Sequence, residues 1–151
     1  MTGFYDKIVI SDTSCLIAFT NINRLNLLQS LCSVIITTPE VAAEYKSPLP
    51  RWVRISVVKD EAKIRSINTL LGLGESSAIA LALETENALI ILDDKRDRSY
   101  AKNVGLNYTG IVGLLRLGYK KGLIPDIDSI MSDLYSIQFH LPGNVEDLIK
   151  K

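Results

Sequence analysis

Short apolar runs alternate with longer stretches of helical periodicity along this chain of 151 residues. The runs carry β-branched or leucine side chains at successive positions, which is typical of strands covered on both faces. An alternation of such strands with helices predicts a sheet that is mostly parallel and flanked by helices. The predicted strands are residues 7–10, 34–37, 54–58, 89–92 and 107–109.

Apolar side chains recur every three or four positions in the segments between these strands, which predicts helices. Pro39 suits a first helical turn, and Gly105 and Gly122 suit caps after helix ends. Residues 46–51 form a predicted loop, and residues 144–151 form a last segment that packs on the body or contacts a partner. Because no linker divides the chain, we expect residues 1–151 to form one α/β domain, a three-layer sandwich. The predicted helices are residues 25–31, 39–45, 62–71, 75–84, 98–104, 111–121 and 127–137.

Acidic residues follow two of the predicted strands directly. Asp12 comes after the run 8–10, and Asp93 and Asp94 come after the run 89–92. Ligands of open parallel sheets collect at the carboxyl ends of the strands, so we expect these side chains to meet there. Gathered carboxylates raise one another's pKa and need a compensating cation. Hard oxygen ligands favour Mg²⁺ or Mn²⁺ over zinc, so the pattern predicts a site for one of these ions.

Two glutamates extend this hypothesis. Glu75 lies in the first turn of its predicted helix and on the face that carries the apolar side chains. Glu44 lies at the end of the predicted helix 39–45, where a negative charge is unfavourable to the helix dipole. Each acid also has an ordinary structural explanation. Glu75 favours the dipole of its helix, and Asp12 and Asp94 are suitable helix caps.

The charge balance limits the classes of function. The chain has 17 acidic and 17 basic residues, so its formal net charge is zero. A general nucleic-acid coat is excluded, because non-specific affinity depends on neutralising phosphates. A local basic rim is still compatible with this balance, although a solvated helix face explains each basic cluster as well. The clusters are Lys95, Arg96, Arg98 and Lys102, and then Arg116, Lys120 and Lys121.

The cysteines, the histidine and the terminus add few possibilities. Cys15 and Cys32 lie in apolar segments without metal-ligand spacing, so we expect buried, unreactive thiols. A lone His140 excludes histidine-based triads and zinc sites. No apolar run is long enough to cross a membrane, and residues 1–6 lack the pattern of a signal peptide. A cytoplasmic location is the expectation.

Taken in order, the acidic motifs resemble those of the PIN-domain nucleases. The likeness covers nearly the whole chain, and the chain is similar in particular to a small prokaryotic group, related to the VapC-type toxins, with a Gly-Glu third motif and a Leu-Asp-Asp fourth. The matching segments are Ile8-Val9-Ile10-Ser11-Asp12-Thr13-Ser14, Glu44, Gly74-Glu75, Leu92-Asp93-Asp94, Arg98 with Ala101, Thr109-Gly110 and Gly113-Leu114.

The resemblance implies a Mg²⁺- or Mn²⁺-dependent ribonuclease. It also implies RNA as the substrate, a small antitoxin protein as partner and a homodimer. One departure is Glu75, since many toxins of this type have an aspartate at this position. The implied catalytic and metal-binding residues are Asp12, Glu44, Glu75 and Asp94, with Asp93 as a further metal ligand, Thr13 and Ser14 as supporting residues, and Lys95 and Arg98 as candidate phosphate contacts.

Other classes with aspartates at strand ends fit less well. A haloacid-dehalogenase-type phosphatase needs a second aspartate two positions after Asp12, where this chain has Ser14. A phospho-receiver domain needs a lysine after its last strand, and none occurs in 108–110. The remaining alternative is a catalytically weak PIN-like module that binds a partner or RNA. Its contact face would come from the apolar helices 25–31 and 111–117, unless these are ordinary core helices.

Overall fold

The computed structural model describes residues 7–151, so residues 1–6 and the expectation about a signal peptide lie outside the described residues. The strands are β1 (Ile8–Ser11), β2 (Val34–Thr37), β3 (Val53–Ile55), β4 (Ala88–Ile91) and β5 (Asn107–Thr109). The helices are α1 (Thr13–Asn21), α2 (Leu25–Leu31), α3 (Pro39–Tyr45), α4 (Glu61–Asn68), α5 (Leu73–Leu83), α6 (Lys95–Asn103), α7 (Ile111–Lys120), α8 (Ile127–Ser136) and α9 (Val145–Lys150).

The strands form one sheet in the order β3-β2-β1-β4-β5. Every neighbouring pair is parallel, and the central strand β1 pairs Ile10 with Ile36 on one side and with Ile90 on the other. The predicted α/β class with a parallel sheet between helices is therefore confirmed. The order also means that the chain moves from β1 to one side of the sheet and later returns to its other side.

Two apolar cores cover the two faces of the sheet. Successive residues of β1 point to opposite faces, so Val9 belongs to one core and Ile10 to the other, and both are fully buried. The larger core contains side chains of α1, α2, α3, α7, α8 and α9. The smaller core contains side chains of α4, α5 and α6. This coverage on both faces explains why the central strands are apolar at successive positions.

The helix boundaries follow from local chemistry. Thr38 caps α3, because its Oγ1 accepts a hydrogen bond from Val41 N at 3.1 Å and Pro39 follows it in the first turn. Gly105 and Gly122 follow α6 and α7 with φ of +81° and +73°, a conformation that other residues rarely adopt. The predicted glycine caps are confirmed.

Several predicted boundaries are wrong. The third strand runs from Val53 to Ile55 rather than over residues 54–58, because its pairing with β2 ends at Thr37 and Ile55. Beyond this end Val57 is 69% exposed, whereas Val58 is buried. Helix α1 was not predicted. Five of its nine residues are buried, and its exposed face includes the apolar Ile17, so the contrast between apolar and polar positions is weak. Helix α5 begins at Leu73, two residues earlier than predicted.

The apolar helices considered as a partner face lie in the larger core. Leu28 of α2 and Leu114 of α7 are fully buried, and the two helices pack on each other. Ordinary core packing is thus the observed role of these side chains. The last segment packs on the body as α9, with Val145 and Ile149 buried in the same core.

Both cysteines are buried and free, as predicted. Burial raises the pKa of the Cys15 thiol well above its usual value and that of Cys32 to about 12, so neither thiol is a reactive nucleophile. Within residues 7–151, no helix combines the length and the apolar character that a membrane span requires.

Candidate active site

The carboxyl ends of β1 and β4 form the point where the strand order reverses. Asp12 follows the last residue of β1 directly, and Asp93 and Asp94 follow β4 after Leu92. In open parallel sheets the crevice for ligands lies at this switch point, because the connections leave the two strands toward opposite sides. The topology therefore brings the acids predicted from the two strand ends to one edge of the sheet.

Asp12 is the most buried of these acids, at 2% exposed. It caps α1, since its Oδ1 accepts a hydrogen bond from Cys15 N at 3.0 Å. Burial raises the pKa of Asp12 well above its usual value, and the negative charges of Asp93, Glu75 and Asp97 raise it further. The cap explains one oxygen of Asp12, but it does not explain why three further acids lie near it.

Asp93 carries a buried oxygen without a partner. Its Oδ1 accepts a hydrogen bond from Ile111 N at 3.0 Å and lies 3.8 Å from Arg98 Nη2. Its Oδ2 is buried and has no hydrogen-bond partner among the residues that the structure describes. Burial raises the pKa of Asp93, although Ile111 and Arg98 oppose this rise. A buried polar atom of this kind needs an explanation, and a cation is one.

Gly110 makes this arrangement around Asp93 possible. A Cβ at position 110 would overlap the guanidinium of Arg98 and lie 2.7 Å from Asp93 Oδ1. Arg98 itself is held by a hydrogen bond from its Nε to Leu92 O at 2.8 Å. Arg98, which was predicted to contact a phosphate, therefore already contacts Leu92 and Asp93 of the protein.

Asp94 is exposed and caps α6. Its Oδ1 accepts hydrogen bonds from Arg96 N at 2.8 Å and from Asp97 N at 3.3 Å. Its neighbour Lys95 is exposed and lines an adjoining hollow rather than the acidic cleft. The two aspartates after β4 thus differ, because Asp93 points into the protein and Asp94 lies at the rim.

Glu75 is the third residue of α5 and is partly buried. Its carboxylate lies over Gly72, where any Cβ would overlap it. Burial raises the pKa of Glu75, and the charges of Glu44 and Asp94 raise it further. The apolar face used to predict its role is less distinctive than expected, because residues 76–82 of α5 are all buried.

Glu44 connects three helices. Its Oε1 accepts a hydrogen bond from Thr13 Oγ1 at 2.6 Å, and its Oε2 accepts one from Gly74 N at 3.1 Å. A Cβ at position 74 would overlap this carboxylate, which explains the glycine of the Gly-Glu motif. Both carboxylate oxygens are thus already engaged, while the charge still acts on Glu75. Thr13 contacts Glu44, whereas Ser14 lines the cleft.

A layer of buried hydroxyls, which was not predicted, supports these acids. Thr38 and Ser77 share a hydrogen bond of 2.6 Å between their hydroxyls, and Ser77 Oγ donates to Gly74 O at 2.8 Å. Thr37 Oγ1 donates to Ser11 O at 2.9 Å. These bonds connect the start of α3 with α5, and β2 with β1, next to the acidic motifs in the chain. Nothing in the sequence distinguishes these residues from ordinary strand-end and helix hydroxyls.

The acids surround an open cleft of about 230 Å³. Asp12, Ser14, Glu75 and Asp94 are among the residues that line it. Glu44 and Asp93 do not line it, but the charge of Glu44 raises the pKa of Glu75 and the charge of Asp93 raises the pKa of Asp12.

A family model described as a PIN domain matches residues 8–151, which is nearly the whole chain. The chain belongs to the PIN-domain family. PIN domains are typically nucleases that bind RNA and use divalent metal ions. A search of curated proteins gave no match.

Asp97 is an acid of this PIN domain that the sequence analysis missed. It lines the cleft and is 7% exposed, although it lies in the first turn of α6, where an acid has an ordinary helix-dipole explanation. Burial raises the pKa of Asp97 to about 7, and the charges of Glu75 and Asp94 contribute to this rise. Its spacing of three from Asp94, one helical turn, was the available signal.

The chemistry of this PIN domain's cleft fits a hard divalent ion. The donors are carboxylates and hydroxyls, which Mg²⁺ and Mn²⁺ prefer. Asp93 Oδ2 is buried without a partner, and the pKa of Asp12 is raised by its acidic neighbours, so a cation would relieve both conditions. Within residues 7–151, no three acidic, cysteine or histidine side chains already form a closed metal-binding group. The metal-ligand assignments therefore stay predictions.

We expect Asp97→Asn to stabilise the metal-free PIN domain at pH 8 but not at pH 4. The folded pKa of Asp97 (about 7) exceeds its ordinary value of 3.8, so the folded state holds this proton more tightly than the unfolded state. The wild type therefore loses stability as the pH rises from about 4 to about 7, and a neutral asparagine avoids this loss. Urea unfolding of both proteins in EDTA, followed by circular dichroism, measures the difference. An equal difference at both pH values would contradict the assignment.

Proposed function

We propose that this PIN domain is a metal-dependent ribonuclease of the VapC-like group that hydrolyses RNA phosphodiester bonds at the acidic cleft. The observation that carries the proposal is the buried, unpartnered Oδ2 of Asp93 close to the buried carboxylate of Asp12. Stability alone does not favour this arrangement, because burial and mutual repulsion both oppose the ionised forms. A site that holds a cation gives the arrangement a function.

The carboxylates would hold one or two Mg²⁺ or Mn²⁺ ions. Asp12 and Asp93 would be two of the ligands, because the backbone N–H groups of Cys15 and Ile111 donate to only one oxygen of each. Glu75 and Asp94 are the outer ligands at the opening of the cleft. A bound divalent ion stabilises charge on the attacked phosphate and lowers the pKa of a water molecule.

The remaining predicted residues position this machinery. Glu44 holds the starts of α1 and α5 together through Thr13 and Gly74, so it sets the distance between Asp12 and Glu75. Ser14 faces the cleft and is placed to orient a water molecule. Glu44 also adds charge that a second ion would balance.

Electrostatics makes substrate binding depend on the cation. Without it, the carboxylates repel the RNA backbone. Lys95, which is exposed beside the cleft, is our candidate for contact with a flanking phosphate. Arg98 is less suitable, because its Nε donates to Leu92 O and its Nη2 lies 3.8 Å from Asp93 Oδ1. This distribution agrees with a chain of zero net charge, since the attraction for RNA is local.

We further infer that the nuclease is the toxin of a toxin–antitoxin pair, acting in the cytoplasm as a homodimer that a small antitoxin neutralises. This part of the proposal is supported by the resemblance of the acidic motifs to the VapC type. Our candidate for the partner surface is the pair of exposed apolar side chains Ile55 and Val57 at the sheet edge, because α2 and α7 are core helices.

A second candidate function is a catalytically weak PIN module that acts by binding a partner or RNA. The engagement of both Glu44 oxygens in protein hydrogen bonds favours it, because a residue so occupied contributes less to a metal site. Metal binding separates the two candidates.

We expect Asp12→Asn to abolish Mn²⁺-dependent cleavage of RNA, because the amide removes the charge of the most buried ligand. The assay follows single-stranded and structured RNA with Mn²⁺, Mg²⁺ or EDTA on denaturing gels. Asp128→Asn, an exposed acid in α8, is the matched control and retains activity. Equal cleavage by wild type and Asp12→Asn would sink the proposal.

We expect Mn²⁺ to stabilise the wild-type protein against heat. An ion that binds only the folded state adds RT ln(1 + [L]/Kd), or about 2.7 kcal/mol at a hundredfold excess over Kd. The rise in Tm is measured by differential scanning calorimetry with Mn²⁺ and with EDTA, and Asp93→Asn should reduce it strongly. An unchanged Tm for wild type would favour the weak module.

A further inference from the structure

A second hollow of about 390 Å³, which we call the side pocket, adjoins the acidic cleft. Leu70, Leu71 and Arg96 line both, so the two share a wall. The other side of the side pocket is formed by α6. The residues that line only the side pocket are Lys95, Ser99, Tyr100 and Asn103.

The chemistry of the side pocket differs from that of the cleft. Carboxylates dominate the cleft, whereas no acidic side chain of residues 7–151 lines the side pocket. Two cations, Lys95 and Arg96, line it together with two leucines and Tyr100, which form its apolar part. Basic side chains beside an aromatic surface are the combination by which proteins bind single-stranded nucleic acid.

Helix α6 presents this combination in a fixed order. Arg96, Tyr100 and Asn103 are four and three residues apart, so they share one face of the helix. Arg96 Nη2 donates a hydrogen bond to Leu70 O at 2.7 Å, which ties the helix to the loop before α5. Asp94, which caps the same helix, lies in the cleft. One helix therefore connects the acidic site with the side pocket.

The apolar surface of the side pocket consists of leucine side chains and the ring of Tyr100, which suit contact with a flat ligand. Tyr100 is partly buried and packs against the smaller core, so its ring loses little freedom when a ligand binds. Leu70 is 57% exposed beside it, although a large apolar side chain is normally covered. Ser99 and Asn103 supply hydrogen-bonding groups at the border of this surface.

We propose that the side pocket binds the nucleotide next to the phosphodiester held in the acidic cleft, and that the RNA there is single-stranded. The base stacks on Tyr100 and contacts Leu70, while Asn103 and Ser99 contact its edge. Arg96 and Lys95 contact the phosphate on that side. An unpaired base can lie flat on an aromatic ring, whereas a base inside a helix cannot. The inference rests on the proposed function for the position of the cleaved bond.

The test measures RNA affinity without cleavage. Fluorescein-labelled octanucleotides of A, C or U are titrated with the full wild-type chain in Ca²⁺, an oxygen-ligated ion used here in place of Mg²⁺. Denaturing gels check that the RNA stays intact, and fluorescence anisotropy gives Kd. Tyr100→Ala should raise Kd about tenfold, because stacking on one aromatic ring is lost. Tyr135→Ala, at an exposed tyrosine of α8, is the matched control and should leave Kd unchanged.

Two further variants keep the test decisive. Asn103→Asp, at an exposed position, places a carboxylate in the side pocket and should raise Kd severalfold even if Tyr100→Ala does not fold. Arg96→Gln should lower the dependence of log Kd on log salt by about 1, while Tyr100→Ala should not change that slope. Circular dichroism checks the fold of each variant.

The outcomes separate this proposal from the ribonuclease proposal. Loss of RNA affinity in Tyr100→Ala and Asn103→Asp, together with a wild type that does not cleave RNA, would support the side-pocket proposal and contradict the nuclease proposal. Metal-dependent cleavage by wild type with unchanged affinity in the pocket variants would keep the nuclease and reject the side pocket. Absence of any octanucleotide binding would also reject the side pocket.

Discussion

Repulsion among carboxylates at the ends of β1 and β4 is the constraint on which the rest of this site depends. Asp12 is buried and Asp93 is half-buried, and the negative charge of Asp93 raises the pKa of Asp12. Helix starts hold each acid, because the backbone N–H groups of Cys15 and Ile111 bind one oxygen of each. The second oxygen of Asp93 has no such partner within residues 7–151, and we propose that a cation binds there.

The sheet order and the glycines make this gathering possible. Only the reversal of strand order between β1 and β4 brings their carboxyl ends into one crevice. Gly74 and Gly110 then leave room for the carboxylates of Glu44 and Asp93. The same helix that carries Asp94 continues into the side pocket, so the acidic site and the proposed nucleotide contact share one support.

The sequence is sufficient for the sheet but not for the whole site. Buried parallel strands such as β4 are apolar at every position, which is a local signal, so the fold class could be predicted. Helix α1 was not predicted because the apolar Ile17 lies on its exposed face and weakens the periodic pattern. The end of β3 depends on where its pairing with β2 ends, which is a tertiary property. Asp97 has an ordinary position in a helix start, and only the tertiary packing around it makes it a buried acid with a pKa of about 7. The hydrogen bonds of Glu44 to Thr13 and Gly74 join residues 30 or more positions apart, which no local pattern encodes.

The most direct measurement of the central claim is a crystal structure of the protein grown with Mn²⁺, using anomalous scattering to locate the ion. We expect an anomalous peak between Asp12 and Asp93, in contact with the Asp93 oxygen that has no partner within residues 7–151, and weaker or absent scattering there in Asp93→Asn. A fully occupied Mn²⁺ elsewhere, or no peak in this cleft at saturating Mn²⁺, would contradict it.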